Sequence, residues 1–259
     1  MIIPFYKYQG TGNDFILFDN REGKIHLTTA QIKHLCDRRF GIGADGLMLL
    51  ESLKDYDFKM VYYNSDGNES TMCGNGGRCI CAFAHRLGIV GDTAHFMAID
   101  GKHSAHIHKH FVSLKMNNVE GVEKIGDDFY LNTGSPHYVK VVTDIKHINV
   151  FEEGRKVRYN ERFTKEGTNV NFIERVGENL HVRTYERGVE DETLSCGTGV
   201  TASALVAAKL NYFPEHPHCH IVTPGGELKV KYHKKDEAHF NEIWLEGAAE
   251  YVFEGVVDC

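Results

Sequence analysis

The chain has 259 residues, enough for one large domain or for two domains of about 120–130 residues each. Its 42% hydrophobic and 25% charged residues are typical of a soluble globular protein, and its net charge of −7 argues against nucleic acid as a main partner. Seven cysteines, no signal-peptide pattern and no long apolar run together indicate a cytoplasmic protein with reduced thiols, no disulfide framework and no membrane span.

Hydrophobic periodicity and capping residues predict short strands and two helices in the first half of the chain. In chain order, the predicted elements are strands over 2–9 and 14–19, a helix over 30–39 capped by Thr28 and Thr29, strands over 47–51 and 57–64, a helix over 76–87 that ends at Gly88, and strands within 93–116. Asn117 and Asn118 mark the predicted boundary between the halves.

The second half is predicted to repeat this order. Its predicted elements are strands near 137–143, 170–175 and 180–186, a helix over 198–210 that stops before Pro214, and strands near 219–222, 227–233 and 242–246. The sequence therefore predicts an α+β fold of two pseudo-symmetric domains, each a curved, mostly antiparallel sheet around a central helix. Residues 1–117 would form the first domain and residues 118–247 the second.

Two short segments share one pattern: Met72-Cys73-Gly74-Asn75-Gly76 and Ser195-Cys196-Gly197-Thr198-Gly199. Gly12 lies 61 residues before Cys73, and Gly134 lies 62 residues before Cys196. The offset of about 123 residues between the halves indicates a long-period duplication, unlike the short periods of solenoids.

Each of the two cysteines is predicted to stand at the start of a helix, where backbone N–H groups and the helix dipole favour a thiolate. Inverting the α-carbon of an amino acid needs a base on one face and an acid on the other, and two thiols can exchange these roles. The backbone N–H groups of Gly74-Asn75 and Gly197-Thr198 can hold the substrate carboxylate. We expect both thiols in the cleft between the halves. Small buried core residues are the simpler interpretation of the other cysteines, Cys36, Cys79, Cys81, Cys219 and Cys259.

Two other patterns are poor matches to a binding site. Gly41 to Gly46 spells the dinucleotide fingerprint but follows a predicted helix, where the fingerprint needs a strand. His106, His108 and His110 would share one strand face, but no further metal ligand lies in register with them. We therefore predict neither a nucleotide site nor a metal site.

Six motifs together resemble the diaminopimelate epimerase family, in the family's order and over nearly the whole chain. They are Gly10-Thr-Gly-Asn-Asp-Phe15, Arg39-Phe-Gly-Ile-Gly-Ala-Asp-Gly46, Tyr63-Asn-Ser-Asp-Gly67, Met72-Cys-Gly-Asn-Gly-Gly-Arg78, Tyr185-Glu-Arg-Gly188 and Ser195-Cys-Gly-Thr-Gly199. The resemblance implies a cofactor-independent isomerase that interconverts LL- and meso-diaminopimelate for lysine and peptidoglycan synthesis. It also implies a homodimer, and a last strand, residues 248–259, that returns to the first domain.

The resemblance also implies roles for particular residues. Cys73 and Cys196 would be the acid and base, while His137 and Glu186 would tune the two thiols. The residues implied in substrate binding are Asn13, Asn64, Gly74, Asn75, Asn169, Glu186, Arg187, Gly197 and Thr198. Arg187 suits the distal carboxylate because a guanidinium can bind it in a bidentate way.

The sequence departs from the family pattern at two positions. Ser135 stands where many members have Asn, so a distal contact would be lost or bridged by water. Gly46 stands where some members place a substrate-contacting Gln, although Gly also occurs there. Two alternatives therefore stay open: another cofactor-free racemase of the superfamily, acting on histidine, proline or hydroxyproline, or a non-catalytic binding protein. Asn64, Asn169 and Arg187 favour a substrate with a second charged end, as diaminopimelate has, over the racemase substrates. The presence of both cysteines argues against a non-catalytic binding protein.

Overall fold

A computed structural model describes residues 2–258 of the chain. It divides the chain into two compact units, which are described separately here. One unit runs to Leu114 and resumes at Gly247, and the other spans Lys115–Glu246. No helix among residues 2–258 is long and apolar enough to cross a membrane.

Strands outnumber helices in both units. In chain order the elements are β1 (Ile2–Gly10), β2 (Asn13–Asp19), α1 (Thr29–Cys36), β3 (Gly46–Glu51), β4 (Phe58–Asn64), α2 (Gly74–Arg86), β5 (Thr93–Ala98), β6 (Gly101–His108), β7 (Phe111–Lys115), β8 (Glu123–Ile125), β9 (Asp128–Asn132), β10 (Pro136–Val141), α3 (Val150–Arg158), β11 (Asn169–Val176), β12 (Asn179–Glu186), β13 (Asp191–Thr193), α4 (Gly197–Lys209), β14 (His218–Thr223), β15 (Gly226–Lys234), β16 (Phe240–Ala248) and β17 (Glu250–Asp258). A short 3-10 turn, Ile145–His147, precedes α3.

The sheet of the first unit is mixed but mostly antiparallel. Its strands follow the order β17-β1-β2-β3-β4-β5-β6-β7, and only β2–β3 and β4–β5 are parallel pairs. Strands β1 and β6 are five positions apart, which is about 24 Å in a flat sheet, yet α2 contacts both. Because a helix is only about 10–12 Å wide, the sheet must curve around α2.

The sheet of the second unit has the same order of antiparallel and parallel strand pairs as the sheet of the first unit. Strands β9, β10, β11, β12, β14 and β15 alternate antiparallel and parallel pairs as β1 to β6 do. Helix α4 contacts both β9 and β15, so this sheet also curves around its helix. The structure therefore confirms the predicted α+β class, with a curved sheet and a central helix in each unit.

The two central helices are buried along almost their whole length. Helix α4 is buried except for Thr198 in its first turn and its last two residues, and its buried side chains are apolar or small, as expected of an enclosed helix. Helix α2 is buried from Gly74 to Ala84, although it carries the charged Arg78. Each central helix begins immediately after one of the two predicted catalytic cysteines.

Parts of the predicted secondary structure are wrong or missing. The first helix ends at Cys36, not at residue 39, because the side chain of Asp37 accepts hydrogen bonds from the backbone N–H groups of Arg39 and Phe40 and starts a turn. The helix begins at Thr29, one residue before the predicted start, and its N-cap is Thr28, which forms a capping box with Gln31. Helix α3 was not predicted, nor was the β8–β9 hairpin.

Candidate active site

Cys73 is the N-cap of α2 in the first unit. Its backbone is extended, with φ −89° and ψ 134°, and its carbonyl accepts from the N–H of Gly77 at 2.7 Å. The side chain is half-buried. This position directs the N–H groups of the first helical turn, beginning with Gly74 and Asn75, toward the side of the thiol.

Asn13 lies beside Cys73 and is held in one orientation. Its Nδ2 donates to the Asp45 carboxylate at 2.7 Å, so its Oδ1 must face the opposite way. That oxygen accepts from Asn75 Nδ2 at 3.4 Å and from Cys73 Sγ at 3.6 Å. The structure thus brings together three of the residues implied by the resemblance. Asn64 lies at the exposed end of β4, and its side chain makes no hydrogen bond within residues 2–258.

Gly46 opens β3 opposite Asn64 and has no room for a side chain. A Cβ at this position would lie 2.6 Å from Tyr62 Cε2 and 3.0 Å from the Tyr62 hydroxyl. The ring of Tyr62 therefore occupies the space that a larger residue would need. A Gln at this position would therefore clash with the ring of Tyr62.

Cys196 is the N-cap of α4 in the second unit and is 8% exposed. Its Sγ lies 3.5 Å from the hydroxyl of Thr198. The Thr198 carbonyl in turn accepts from the Thr133 hydroxyl at 2.9 Å, which ties the start of α4 to the segment before β10. Cys196 and Cys73 therefore occupy the same position on equivalent helices, as the sequence pattern predicted.

His137 is fully buried in β10, and its partners fix its tautomer. Asn171 Nδ2 donates to the carbonyl of Tyr138 at 3.2 Å, so the same amide nitrogen donates to His137 Nδ1 at 3.1 Å. The ring proton must then lie on Nε2. Burial, reinforced by the charge of Arg187, lowers the pKa of His137 to about 3, so the ring is neutral at pH 7. Asn171 could not be identified from the sequence, because its role depends on the parallel pairing of β10 with β11.

The side-chain amide of Asn169 is hydrogen-bonded to other residues of the protein. Its Oδ1 accepts from the backbone N–H of Arg187 at 2.9 Å, and its Nδ2 donates to the Pro136 carbonyl at 3.0 Å and to Ser135 Oγ at 2.7 Å. Both amide hydrogens are therefore used within the protein. Asn169 positions Arg187 and Ser135.

The hydroxyl of Ser135 accepts two hydrogen bonds. Asn169 Nδ2 donates to it, and the protonated Nε2 of His137 lies 3.3 Å from it. Since these two donors use both lone pairs, the hydroxyl hydrogen of Ser135 is left to donate. Ser135 is half-buried, so this donor can reach a ligand.

Arg187 is exposed at the end of β12, and no carboxylate within residues 2–258 forms an ion pair with it. Its Nη1 donates only to the carbonyl of Glu166 at 2.9 Å. The neighbouring Glu186 accepts from the hydroxyl of Thr193 at 2.8 Å. The guanidinium of Arg187 is therefore able to bind an anion.

Within residues 2–258, the remaining cysteines and the histidines form no group that could hold a metal ion. Cys36, Cys79, Cys81 and Cys219 are buried, whereas Cys259 lies outside the described residues. Within residues 2–258, no group of three His, Cys, Asp or Glu side chains is placed to hold a metal ion. The glycine-rich segment 41–46 follows helix α1 and leads into a strand, the reverse of the order in a dinucleotide site.

Comparison with solved structures defines the fold class. The chain superimposes on a PhzF-family phenazine biosynthesis protein of Bacillus anthracis with a TM-score of 0.74 and 15% identity, over 100% of both chains. It superimposes on a hydroxyproline epimerase of Agrobacterium vitis with a TM-score of 0.70 and 14% identity, over 99% of this chain and 91% of the other. The duplicated α+β architecture is therefore that of the epimerase, racemase and PhzF proteins.

Sequence comparison defines the family. The model described as diaminopimelate epimerase matches residues 5–120 and 129–252. A diaminopimelate epimerase of Flavobacterium psychrophilum is 51% identical over 98% of this chain and 100% of its own length. One of Chlorobaculum tepidum is 40% identical over 96% of this chain and 98% of its own. The chain belongs to the diaminopimelate epimerase family and is an isomerase.

Proposed function

We propose that this chain interconverts LL- and meso-diaminopimelate without a cofactor, with Cys73 and Cys196 as the two acid/base groups. The observation that carries the proposal is their equivalence: each caps the central helix of one of two duplicated units. The relatives named as diaminopimelate epimerases, 51% and 40% identical over almost their whole length, support the substrate. The reaction would serve lysine and peptidoglycan synthesis.

The proposed proton transfers balance without any further reactant. One cysteine, as a thiolate, takes the α-proton, and the other, as a thiol, delivers a proton to the opposite face of the same carbon. The protonation states of the two cysteines are then exchanged, ready for the reverse reaction. The chemistry requires both thiols to reach one α-carbon, and the first-turn N–H groups of α2 and α4 would stabilise the charge on the adjacent carboxylate.

The distal end of the substrate would be held by residues of the second unit. Arg187 forms no ion pair with a carboxylate of residues 2–258, which leaves its guanidinium suited to the distal carboxylate. Ser135 supplies a hydroxyl that can only donate, and a carboxylate oxygen is a suitable acceptor. Asn13 and Asn64 would contribute from the first unit. His137, as a neutral ring, would position Ser135 and the start of α4 without adding charge near the Cys196 thiol.

We further infer a cytoplasmic homodimer with no nucleic-acid partner. Large apolar side chains on the outer strands support a dimer: Ile2, Val252 and Val256 are 73%, 50% and 67% exposed. The functional halves would be residues 1–117, completed by 248–259, and residues 118–247. The antiparallel pairing of β17 with β1 supports this assignment of the last segment.

Alanine substitution of each cysteine tests the two-thiol chemistry. We expect Cys73→Ala and Cys196→Ala each to abolish epimerisation of diaminopimelate, because each removes one of the two proton-transfer groups. Cys36→Ala serves as the matched control, since Cys36 is buried in a hydrophobic core cluster, and should retain activity. Substantial turnover by either of the first two variants, with reductant present, would overturn the scheme.

A further inference from the structure

Arg78 is a charged side chain enclosed within the first unit. It lies on α2, five residues after Cys73, and has 0% exposure. No carboxylate within residues 2–258 pairs with it, and its Nε has no hydrogen-bond partner in that part of the chain. Burial lowers the pKa of its guanidinium, which reflects the cost of keeping a charge in this place.

The partners of Arg78 are all neutral and lie around the start of α2. Its Nη2 donates to Asn75 Oδ1 at 3.1 Å and to the Thr11 hydroxyl at 3.3 Å, and its Nη1 donates to the Gly74 carbonyl at 3.4 Å. The guanidinium therefore lies directly behind the turn that follows Cys73. The positive end of the α2 dipole adds to its field there.

The carboxylates near this turn are bonded to groups other than Arg78. Asp14 forms ion pairs with Lys7 and Arg38 at 2.7 Å, and although burial raises its pKa, these two cations outweigh burial and lower it to about 2. Asp45 pairs with Arg38, and Asp100 pairs with His103. None of these carboxylates is left to neutralise Arg78.

Two cysteines lie close enough for a thiolate to favour the charged form of Arg78, namely Cys73 and Cys79. Burial raises the pKa of Cys79 to about 12, so Cys79 is neutral at physiological pH. Cys73 is therefore the cysteine whose thiolate could offset the charge of Arg78. Its thiol donates to Asn13 Oδ1 at 3.6 Å, but a thiol is a weak donor, and losing that bond opposes ionisation less than a buried cation favours it.

The second unit supplies an internal comparison. Thr201 occupies the position five residues after Cys196 and is also fully buried. Its hydroxyl donates to the Gly197 carbonyl at 2.9 Å and carries no charge. The side chains five residues after the two cysteines thus differ in charge, with a buried cation on α2 and a neutral hydroxyl on α4. The two sulfurs also have different neighbours, since Asn13 Oδ1 accepts from Cys73 Sγ, whereas the Thr198 hydroxyl lies 3.5 Å from Cys196 Sγ.

We propose that Arg78 is a positioning residue that makes Cys73 the thiolate and leaves Cys196 the thiol in the free enzyme. The inference rests on the proposed two-thiol function for its catalytic meaning. On that basis, the resting enzyme is prepared to remove a proton with Cys73 and to donate one from Cys196. Arg78 itself does not need to touch the substrate.

Alkylation of the free enzyme tests the proposal without substrate. Iodoacetamide reacts with the thiolate, so its rate against pH reports the ionisation of each cysteine, resolved by mass spectrometry of the peptides. We expect Cys73 of the wild-type protein to ionise at lower pH than Cys196. Equal midpoints, or a lower midpoint for Cys196, would overturn the proposal.

Substitution of Arg78 isolates its contribution. In Arg78→Met we expect the Cys73 profile to move up by about one pH unit or more, so that alkylation at pH 7 slows about tenfold, while the Cys196 profile stays unchanged. Arg78→Lys should restore most of the wild-type profile. Arg86→Met is the matched control, because Arg86 is an exposed cation on the same helix and should leave Cys73 unaffected.

The outcomes separate this proposal from the proposed function. An unchanged Cys73 profile in a folded Arg78→Met variant, judged by circular dichroism, would overturn the role of Arg78 even if the enzyme epimerises diaminopimelate. Should the variant fail to fold, the wild-type comparison of the two cysteines decides alone. A shifted Cys73 profile in an enzyme inactive on diaminopimelate would leave Arg78 supported and reject the proposed substrate.

Discussion

Asn171 fixes the proton of His137. Its amide nitrogen lies 3.1 Å from His137 Nδ1, which must accept, so the ring carries its hydrogen on Nε2 and directs it at Ser135. The ring has 0% exposure, and burial together with the charge of Arg187 lowers its pKa to about 3. Asn171 on β11, His137 on β10 and Ser135 just before β10 thus form a chain of hydrogen bonds with a defined direction.

The neutral state of His137 predicts a pH dependence of stability. The unfolded chain binds a proton at this histidine below about pH 6.5, whereas the folded protein does not until about pH 3. Folding stability contributed by His137 is therefore present above pH 6.5 and is lost as the pH falls toward 3. The expected slope is about 1.4 kcal/mol per pH unit from this one group.

Urea unfolding between pH 7 and pH 4 checks this prediction. The His137→Gln variant should lose free energy of unfolding less steeply with falling pH than the wild-type protein, by about that slope. His220→Gln is the control, because His220 is exposed. Parallel curves for wild-type and His137→Gln proteins would mean that the histidine is not held neutral.

Gly199 on α4 packs closely against Asn171 and His137. A Cβ there would lie 2.3 Å from Asn171 Oδ1 and 3.3 Å from His137 Cε1. We expect Gly199→Ala to lower the free energy of unfolding by about 1–3 kcal/mol, and to reduce activity by displacing Asn171. Gly121→Ala, with nothing within 4 Å of the added carbon, is the control. Thermal unfolding that leaves Gly199→Ala indistinguishable from this control would contradict the close packing.

Ser135 should matter for substrate binding because its hydroxyl hydrogen is free to donate. Ser135→Ala removes a hydrogen bond to a charged group, which predicts a rise in KM for diaminopimelate of roughly 10- to 100-fold with a smaller change in kcat. Steady-state kinetics measures this, with the exposed Ser52→Ala as control. An unaltered KM would show that no substrate acceptor faces Ser135.

Arg187 is expected to bind the distal carboxylate through a planar, bidentate contact. Arg187→Lys keeps the charge but loses that geometry, so KM should rise, and Arg187→Met should raise it further. Arg175→Lys is the control, because Arg175 is an exposed arginine of the same unit that donates to the Gly177 carbonyl. The distal assignment fails if Arg187→Met binds diaminopimelate as tightly as the wild-type enzyme does.

The sequence was sufficient for the parts of this protein that depend on local pattern. The repeated Cys-Gly-x-Gly segments predicted that Cys73 and Cys196 stand at the starts of two equivalent helices, and both are N-caps. Six motifs were enough to indicate the family, which the comparisons confirm. Such features are readable because capping and glycine turns are encoded within a few residues.

The parts that were not predicted depend on contacts between distant segments. Helix α3 was missed because Gly154 lowers the helical preference of a segment of only nine residues, although its Glu, Lys and Arg residues favour a helix, and it packs on β11 and β12. Asn171 acquires its role only when β11 pairs with β10. Arg78 belongs to one of the six motifs. Its burial without a carboxylate partner among residues 2–258 depends on the fold and could not be predicted from the motif.

The central claim is that this chain inverts one α-carbon of diaminopimelate by proton exchange. Proton NMR of LL-diaminopimelate with the reduced enzyme in D2O, without added cofactor, tests it most directly. We predict loss of the α-proton signal together with appearance of the meso isomer. No exchange from a folded, reduced enzyme would contradict the claim and direct the same assay to histidine, proline and hydroxyproline.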